Sequence, residues 1–448
     1  MAKKTIFIIV LLLGLGFMIH NLYYYPVNAG YDAGLHINYT KIISYQWRFP
    51  DLLETREGYN PPFFYILSGL VTRLSSFVTG NDFLTALKNW QYLSIIFSSA
   101  ILFFWWQIIK SLQPKNKLFQ SVFLILLFSL PVFHKTIVMY NLELFSAFTI
   151  TIAFWYFILH FQLKPDLKKT IILALLTNIA LLTRMSAMVL LPTFIIGFIG
   201  LKLTKIINWQ QTIKFLTVFL MIVFIGTSWF YLGRRNQDIY GVGEGVLSDK
   251  PFFQRQSLVF YTEIPFKLMM SYPIRFSKHT PLNRLIPIYY SEFWGDWWNY
   301  YSQRRFNITV QARKKDHYIT TEERVKNLAL QNRINFLPTL LIITGFGYLI
   351  VKVIKKTFKK PGEKWLTEVL FVSLTVFTLL GWLYMITEYP TWKGDSIKAS
   401  YMLSILPVFI YGLVLFLFKK VKPKKIIFIP TIIYLGLSTI INLIWNWY

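Results

Sequence analysis

PPFFYILSGLVTRLSSFV, residues 61–78, decides how the rest of the chain is threaded. The run is apolar and of near-spanning length. Counted as a span, it puts the next lysine cluster outside and inverts most of the chain. Left out, the clusters at Lys110/Lys115/Lys117, Lys164/Lys168/Lys169 and Lys202/Lys205/Lys214, and those within 352–364 and 419–425, all fall on the cytoplasmic side, as short basic loops beside spans do. Its own pattern agrees. Ser68, Thr72, Ser75 and Ser76 recur at helical spacing beside Arg73, opposite Phe63, Ile66, Leu67, Leu70, Leu74 and Phe77. That pattern predicts a helix lying in the interface with its polar side toward water. Pro61 and Pro62 would start it, where missing N–H groups cost least. Tyr31 to Trp47 is weakly amphipathic too, so the first outer loop reads as two surface helices.

Working outward from that loop, apolar runs at 5–24, 89–111, 118–134, 142–162, 169–185, 186–203, 214–232, 336–354, 366–386, 398–418 and 426–445 read as spans. The expectation is an all-α polytopic membrane protein of about eleven transmembrane helices. The first run ends in HNLYYYP without a small-residue cleavage site, which reads as a retained helix with its N-terminus inside. Residues 1–232 form an N-terminal transmembrane module with the first outer loop at 25–88. Residues 233–335 form an external loop subdomain, and 336–448 a C-terminal transmembrane module.

The chain is 55% hydrophobic and 19% aromatic, and its net charge is +27. The lysines sit between spans, so the charge speaks for topology rather than for nucleic acid. With no cysteine, a disulfide framework, a thiolate metal site and a cysteine nucleophile are all excluded. A Walker loop, a dinucleotide fingerprint and a G-x-S-x-G elbow are also missing, which disfavours soluble nucleotide chemistry.

The unusual polar residues collect at the outer membrane level. Asp32 and His36 follow the first span. His134, Lys135, Asn141 and Glu143 flank the next outer turn, Arg184 marks the junction LLTRMSAM, and Asp395 and Lys398 precede a late span. Arg73 sits on the surface helix. Such a layer can supply a carboxylate base for an acceptor hydroxyl and cations for a phosphate leaving group. Each residue also has a plainer role. Asp32 suits a helix N-cap, Glu143 a first-turn acid beside a helix dipole, and Arg73 a snorkelling cation. Arg184 at this depth needs a partner. Trp294 and Trp297 in YYSEFWGDWWNYY, 289–301, read as interfacial anchors or as contacts to sugar or lipid.

The ordered set YDAGLH, YNPPFFYIL, NLELF, LLTR and IKASYMLSILP resembles the membrane glycosyltransferases that use polyprenyl-phosphate sugars, the group containing protein O-mannosyltransferases and lipid A aminoarabinose transferases. The resemblance implies a sugar transferred from a lipid-linked donor to an extracytoplasmic acceptor, with inversion, by a cell-membrane enzyme working on its outer face. It implies that Asp32 is the catalytic residue; the outer polar layer offers Glu143 as a second catalytic candidate, and His36, Arg73, Arg184, Lys398 and Tyr401 as candidates for substrate binding. The chain departs from the pattern where Ala33 follows the acid, Asn60 precedes the prolines and Ser400 precedes Tyr401. A cofactor is not specified, and a divalent metal ion stays open. So do a flippase or transporter of lipid-linked saccharide, which predicts midplane polar groups, broken helices and an internal repeat, and a polysaccharide polymerase or ligase working through Arg304 and Arg305.

Overall fold

The computed structural model describes residues 2–51, 53–233, 251–273, 282–298, 300–301, 322–359, 362–389, 396–422 and 424–445. Asp395, Arg304 and Arg305 lie outside these. The described residues form helices and connecting turns, with no strand among them.

Seven helices among the described residues are long and apolar enough to cross a membrane. They are Phe83–Leu112, Leu142–Phe161, Met185–Leu203, Trp209–Gly233, Phe336–Thr357, Glu363–Glu388 and Ile426–Trp445. The run expected at 118–134 is broken: α6 (Lys117–Phe128) and α7 (Pro131–Val138) meet at 56°. Pro131 sits in the first turn of α7 and ends the continuous ladder there. Two further expected spans are short here, α9 (Leu167–Thr183) with 17 residues and α18 (Leu406–Phe416) with 11, the latter continued by a π turn to Val421.

After α1 (Ala2–Tyr24) come the two helices expected in the first loop, α2 (Ala33–Gln46) and α3 (Phe63–Thr79). The chain thus enters α3 directly from the double proline, as the sequence suggests. The orientation of α3 differs from the expectation. Ser68 and Thr72 are fully buried, while Leu70, Leu74, Phe77 and Val78 are exposed. The first part of the polar stripe, Ser68 and Thr72, faces protein because its hydroxyls find partners there, while Ser75 and Ser76 are half-buried. Ser68 Oγ hydrogen-bonds Tyr140 Oη at 3.0 Å and Thr40 Oγ1 at 3.3 Å, and Thr72 donates to Ser68 O at 2.7 Å. Gly69 lets α2 approach, since a Cβ there would meet Ser44 Oγ at 2.9 Å. The apolar face therefore points outward, as a lipid-facing surface does.

Asp82 caps α4 (Phe83–Tyr92), accepting from Leu84 N at 2.9 Å and Thr85 N at 3.2 Å. With α5 (Ser94–Leu112) it makes one long rod. Next come α8 (Leu142–Tyr156), α10 (Leu190–Leu203) and α11 (Trp209–Gly233). Short helices α12 (Leu258–Thr262), α13 (Phe266–Ser271), α14 (Leu285–Trp294) and α15 (Glu322–Ile334) follow, then α16 (Phe336–Thr357), α17 (Glu363–Glu388), α18 and α19 (Lys425–Trp445). α16 and α18 touch backbone to backbone, because a Cβ on Gly345 would sit 2.5 Å from Leu413 N.

Trp294, Trp297 and Trp298 are buried in the same apolar cluster as Ile137, Phe133 and Phe128 of the bent pair. The first two are thus packing residues rather than interfacial anchors. Trp294 Nε1 donates to Thr339 Oγ1 at 2.7 Å.

Candidate active site

The turn between α1 and α2 is set by two left-handed residues, Gly30 at φ 113° and Asp32 at φ 53°. Aspartate visits that region more readily than most residues, at some cost in strain. Asp32 occupies the N-cap position of α2 yet makes no side-chain capping bond. The plainer role is therefore not the one it plays. Its carboxylate instead accepts a hydrogen bond from Lys398 Nζ, 366 residues away. The carboxylate is ringed by protein but open on one side, with 42% of the side chain exposed against 11% for Lys398. Crowding by protein pushes its pKa up. The ammonium of Lys398, helped by His36 and Arg184, outweighs this and holds it below the ordinary aspartate value.

A second ion pair stands beside the first. α9 stops at Arg184, whose extended backbone (φ −159°, ψ 141°) breaks the helix before the 3-10 turn Met185–Val189. Its Nη1 lies 3.2 Å from Glu143 Oε1. Glu143 is the second residue of α8, where Asn141 Oδ1 accepts from Glu143 N at 3.2 Å. Arg184 has the partner its depth demands. Glu143 Oε2 is buried without a hydrogen-bond partner. Tyr401 joins the two pairs: its ring lies 4.5 Å from the Arg184 guanidinium and 5.7 Å from Lys398 Nζ, and Lys398 is also 5.1 Å from the Tyr31 ring.

His36, one turn into α2, has Nδ1 2.8 Å from Tyr65 Oη and 3.5 Å from Glu57 Oε2. Glu57 is a buried acid, in the 3-10 turn Arg56–Tyr59, that the sequence reading passed over. Burial raises its pKa, His36 opposes that, and the charge on Asp32 adds to it. Asn60 donates to it, so the residue standing before the prolines serves the site through Glu57. The signal was an acid set in EGYNPP, six residues before the start of α3. Tyr59 feels Glu57, Tyr401 and Arg184 and belongs to the same cluster.

Arg73 stands apart. Its Nη1 donates to Ser44 O at 3.0 Å and its guanidinium lies 5.0 Å from the Trp47 ring, at the far end of α2. At 1.5 Å per residue, that is roughly 18 Å along the helix from Asp32.

Asp32, His36, Glu143, Arg184, Lys398 and Tyr401 are thus gathered from four stretches of chain. Similar helical membrane enzymes have been solved. One is the archaeal oligosaccharyltransferase AglB from Archaeoglobus fulgidus in complex with an inhibitory peptide and a dolichol-phosphate, with a TM-score of 0.49 and 11% identity over 100% of this chain. This chain spans 56% of the length of that one. Another is ArnT from Cupriavidus metallidurans, bound to undecaprenyl phosphate or in the apo state, with a TM-score of 0.38 and 12% identity over 92% of this chain and 78% of that one. No family model matches, and no curated protein matches.

Among the described residues no group of three or more His, Asp or Glu could hold a metal ion. Asp32 and Glu143 each face a fixed cation. Two carboxylates, two cations and an aromatic plate between them can deprotonate a neutral nucleophile and receive a phosphate anion in the same place.

Proposed function

We propose that the protein is a membrane glycosyltransferase that moves a sugar from a polyprenyl phosphate, or a related lipid-linked donor, to a hydroxyl or amine on the extracytoplasmic side. The observation that supports it is the Asp32–Lys398 pair, beside Glu143–Arg184 and bridged by Tyr401. In the resting site Lys398 neutralises Asp32. A donor phosphate competes for the ammonium, so binding frees the carboxylate at the moment a base is needed.

Asp32 then takes the proton of the acceptor hydroxyl while the acceptor oxygen bonds to the anomeric carbon. The bond from that carbon to the phosphate oxygen breaks, and its electron pair leaves with the lipid phosphate. Lys398 and Arg184 face the charge gained by that phosphate, which lowers the barrier where charge develops. Attack opposite the leaving group inverts the anomeric carbon. Glu143 holds Arg184 in place, and its free Oε2 is a second acceptor for an incoming hydroxyl.

The test is transfer from a labelled polyprenyl-phosphate sugar in proteoliposomes. Asp32→Asn should lose about 100-fold or more in rate, and undiminished transfer removes Asp32 as the base. Labelled lipid that crosses the bilayer without being consumed points to a transporter.

A further inference from the structure

The base and its ammonium partner come from opposite ends of the chain, yet one segment grips the residue next to each. Glu292, in the last turn of α14, accepts from the hydroxyl of Tyr31, the residue before Asp32. Trp298, six residues on, donates its indole N–H to Ile397 O at 3.0 Å, the residue before Lys398. The segment is itself pinned. Lys135 Nζ donates to Glu292 Oε1 at 2.9 Å, to Glu292 O at 2.6 Å and to Gly295 O, with both side chains almost wholly buried, 2% and 1% exposed. Glu292 Oε2 accepts from Trp298 N at 3.2 Å, so one carboxylate fixes both arms. From the other side Met139 abuts the turn, with Cγ 3.1 Å from where a Cβ on Gly30 would lie.

We propose that Glu292, Tyr31 and Trp298 are positioning residues, a clamp that sets the separation of Asp32 and Lys398. The inference rests on the reading of Asp32 as the base. It accounts for a buried ion pair that touches no reacting group. Such pairs are retained where they fix geometry rather than for net stability. It also accounts for the left-handed backbone at Asp32, since strain of this kind persists only where surrounding contacts over-determine it.

Conservative variants test it, because Glu292→Gln leaves Lys135 buried without a countercharge and risks misfolding. Tyr31→Phe keeps the ring beside Lys398 and loses only the hydroxyl. Trp298→Phe keeps a buried aromatic but loses the N–H together with part of the ring. The groups facing Asp32 are Lys398 and Arg184, His36 from α2, Glu57 and Tyr59 from the 56–59 turn, and Tyr401. Both variants leave all of them in place. The readout is a difference infrared titration of the purified protein, with the Asp32 carboxyl band identified by its loss in Asp32→Asn and Lys398→Met as the control.

The clamp predicts that the Asp32 midpoint rises in Tyr31→Phe and Trp298→Phe in the direction it rises in Lys398→Met. It predicts that kcat falls by about 10- to 100-fold, as expected of a misplaced base. An unchanged midpoint in both variants, with a shifted one in the control, overturns the clamp, even if the variants melt earlier. A shifted midpoint in a protein that never consumes the lipid donor keeps the clamp and removes the proposed function.

Discussion

Arg184→Met removes the cation from a buried pair. Glu143 is only 3% exposed and sits 3.2 Å from the guanidinium. Breaking such a pair from one side costs about 3–5 kcal/mol, because the remaining charge stays buried without compensation. Loss of the contact to Tyr401 adds about 1 kcal/mol. Glu143→Gln alone should cost about 1–3 kcal/mol, from a buried donor set against a cation. The double variant has no orphaned charge, so its cost should fall short of the sum by about 2 kcal/mol. The assay is thermal or denaturant unfolding in detergent, followed by tryptophan fluorescence, with all four proteins in one buffer. A double variant whose loss equals the sum of the singles would refute the reasoning, since the pair would then carry no coupling. Transfer should be weak in all three variants.

Lys398→Met should raise the Asp32 pKa. The lysine depresses it, so the base form in the unmodified protein persists to lower pH and is lost only as pH falls through that depressed value. The acidic limb of kcat/KM should move to higher pH, and the donor KM should rise by about tenfold; a static limb counts against the pairing. Gly30→Ala puts a Cβ against Met139 at φ 113° and should cost about 1–2 kcal/mol, read as an earlier melt. Because the chain has no cysteine, single substitutions report topology cleanly. Leu53→Cys, at a site 85% exposed in the first outer loop, should react with an impermeant thiol reagent in intact cells. Phe358→Cys, beside the lysines after α16, should react only after permeabilisation, and the opposite result inverts the membrane orientation.

Much of this was legible in the sequence, residue by residue. The need of Arg184 for a partner followed from its depth, but Glu143 lies 41 positions away and only folding chooses it among the outer acids. The helix after the double proline was readable as amphipathic. Periodicity says that two faces differ, not which solvent each meets, and here Thr40 and Tyr140 supply partners that turn Ser68 inward. Glu57 and Tyr59 escaped notice because a short 3-10 turn has no periodicity to mark it. The aromatic run around Trp297 looked like an interface belt, since composition does not distinguish a residue anchored at a membrane surface from one buried under a loop. The grip of Glu292 and Trp298 on residues 31 and 397 joins stretches more than 90 positions apart, beyond any local pattern.

The left-handed backbone at Asp32 also limits which replacements of that residue carry information. Asparagine shares the tolerance of aspartate for φ near 53° and nearly its shape, so it changes the charge and little else. Alanine and glutamate lack that tolerance, and both would confound lost chemistry with a re-folded turn. The same preference makes the shorter acid the natural carboxylate here. A chain that exchanged it for glutamate would first have to rebuild the turn that Gly30 opens.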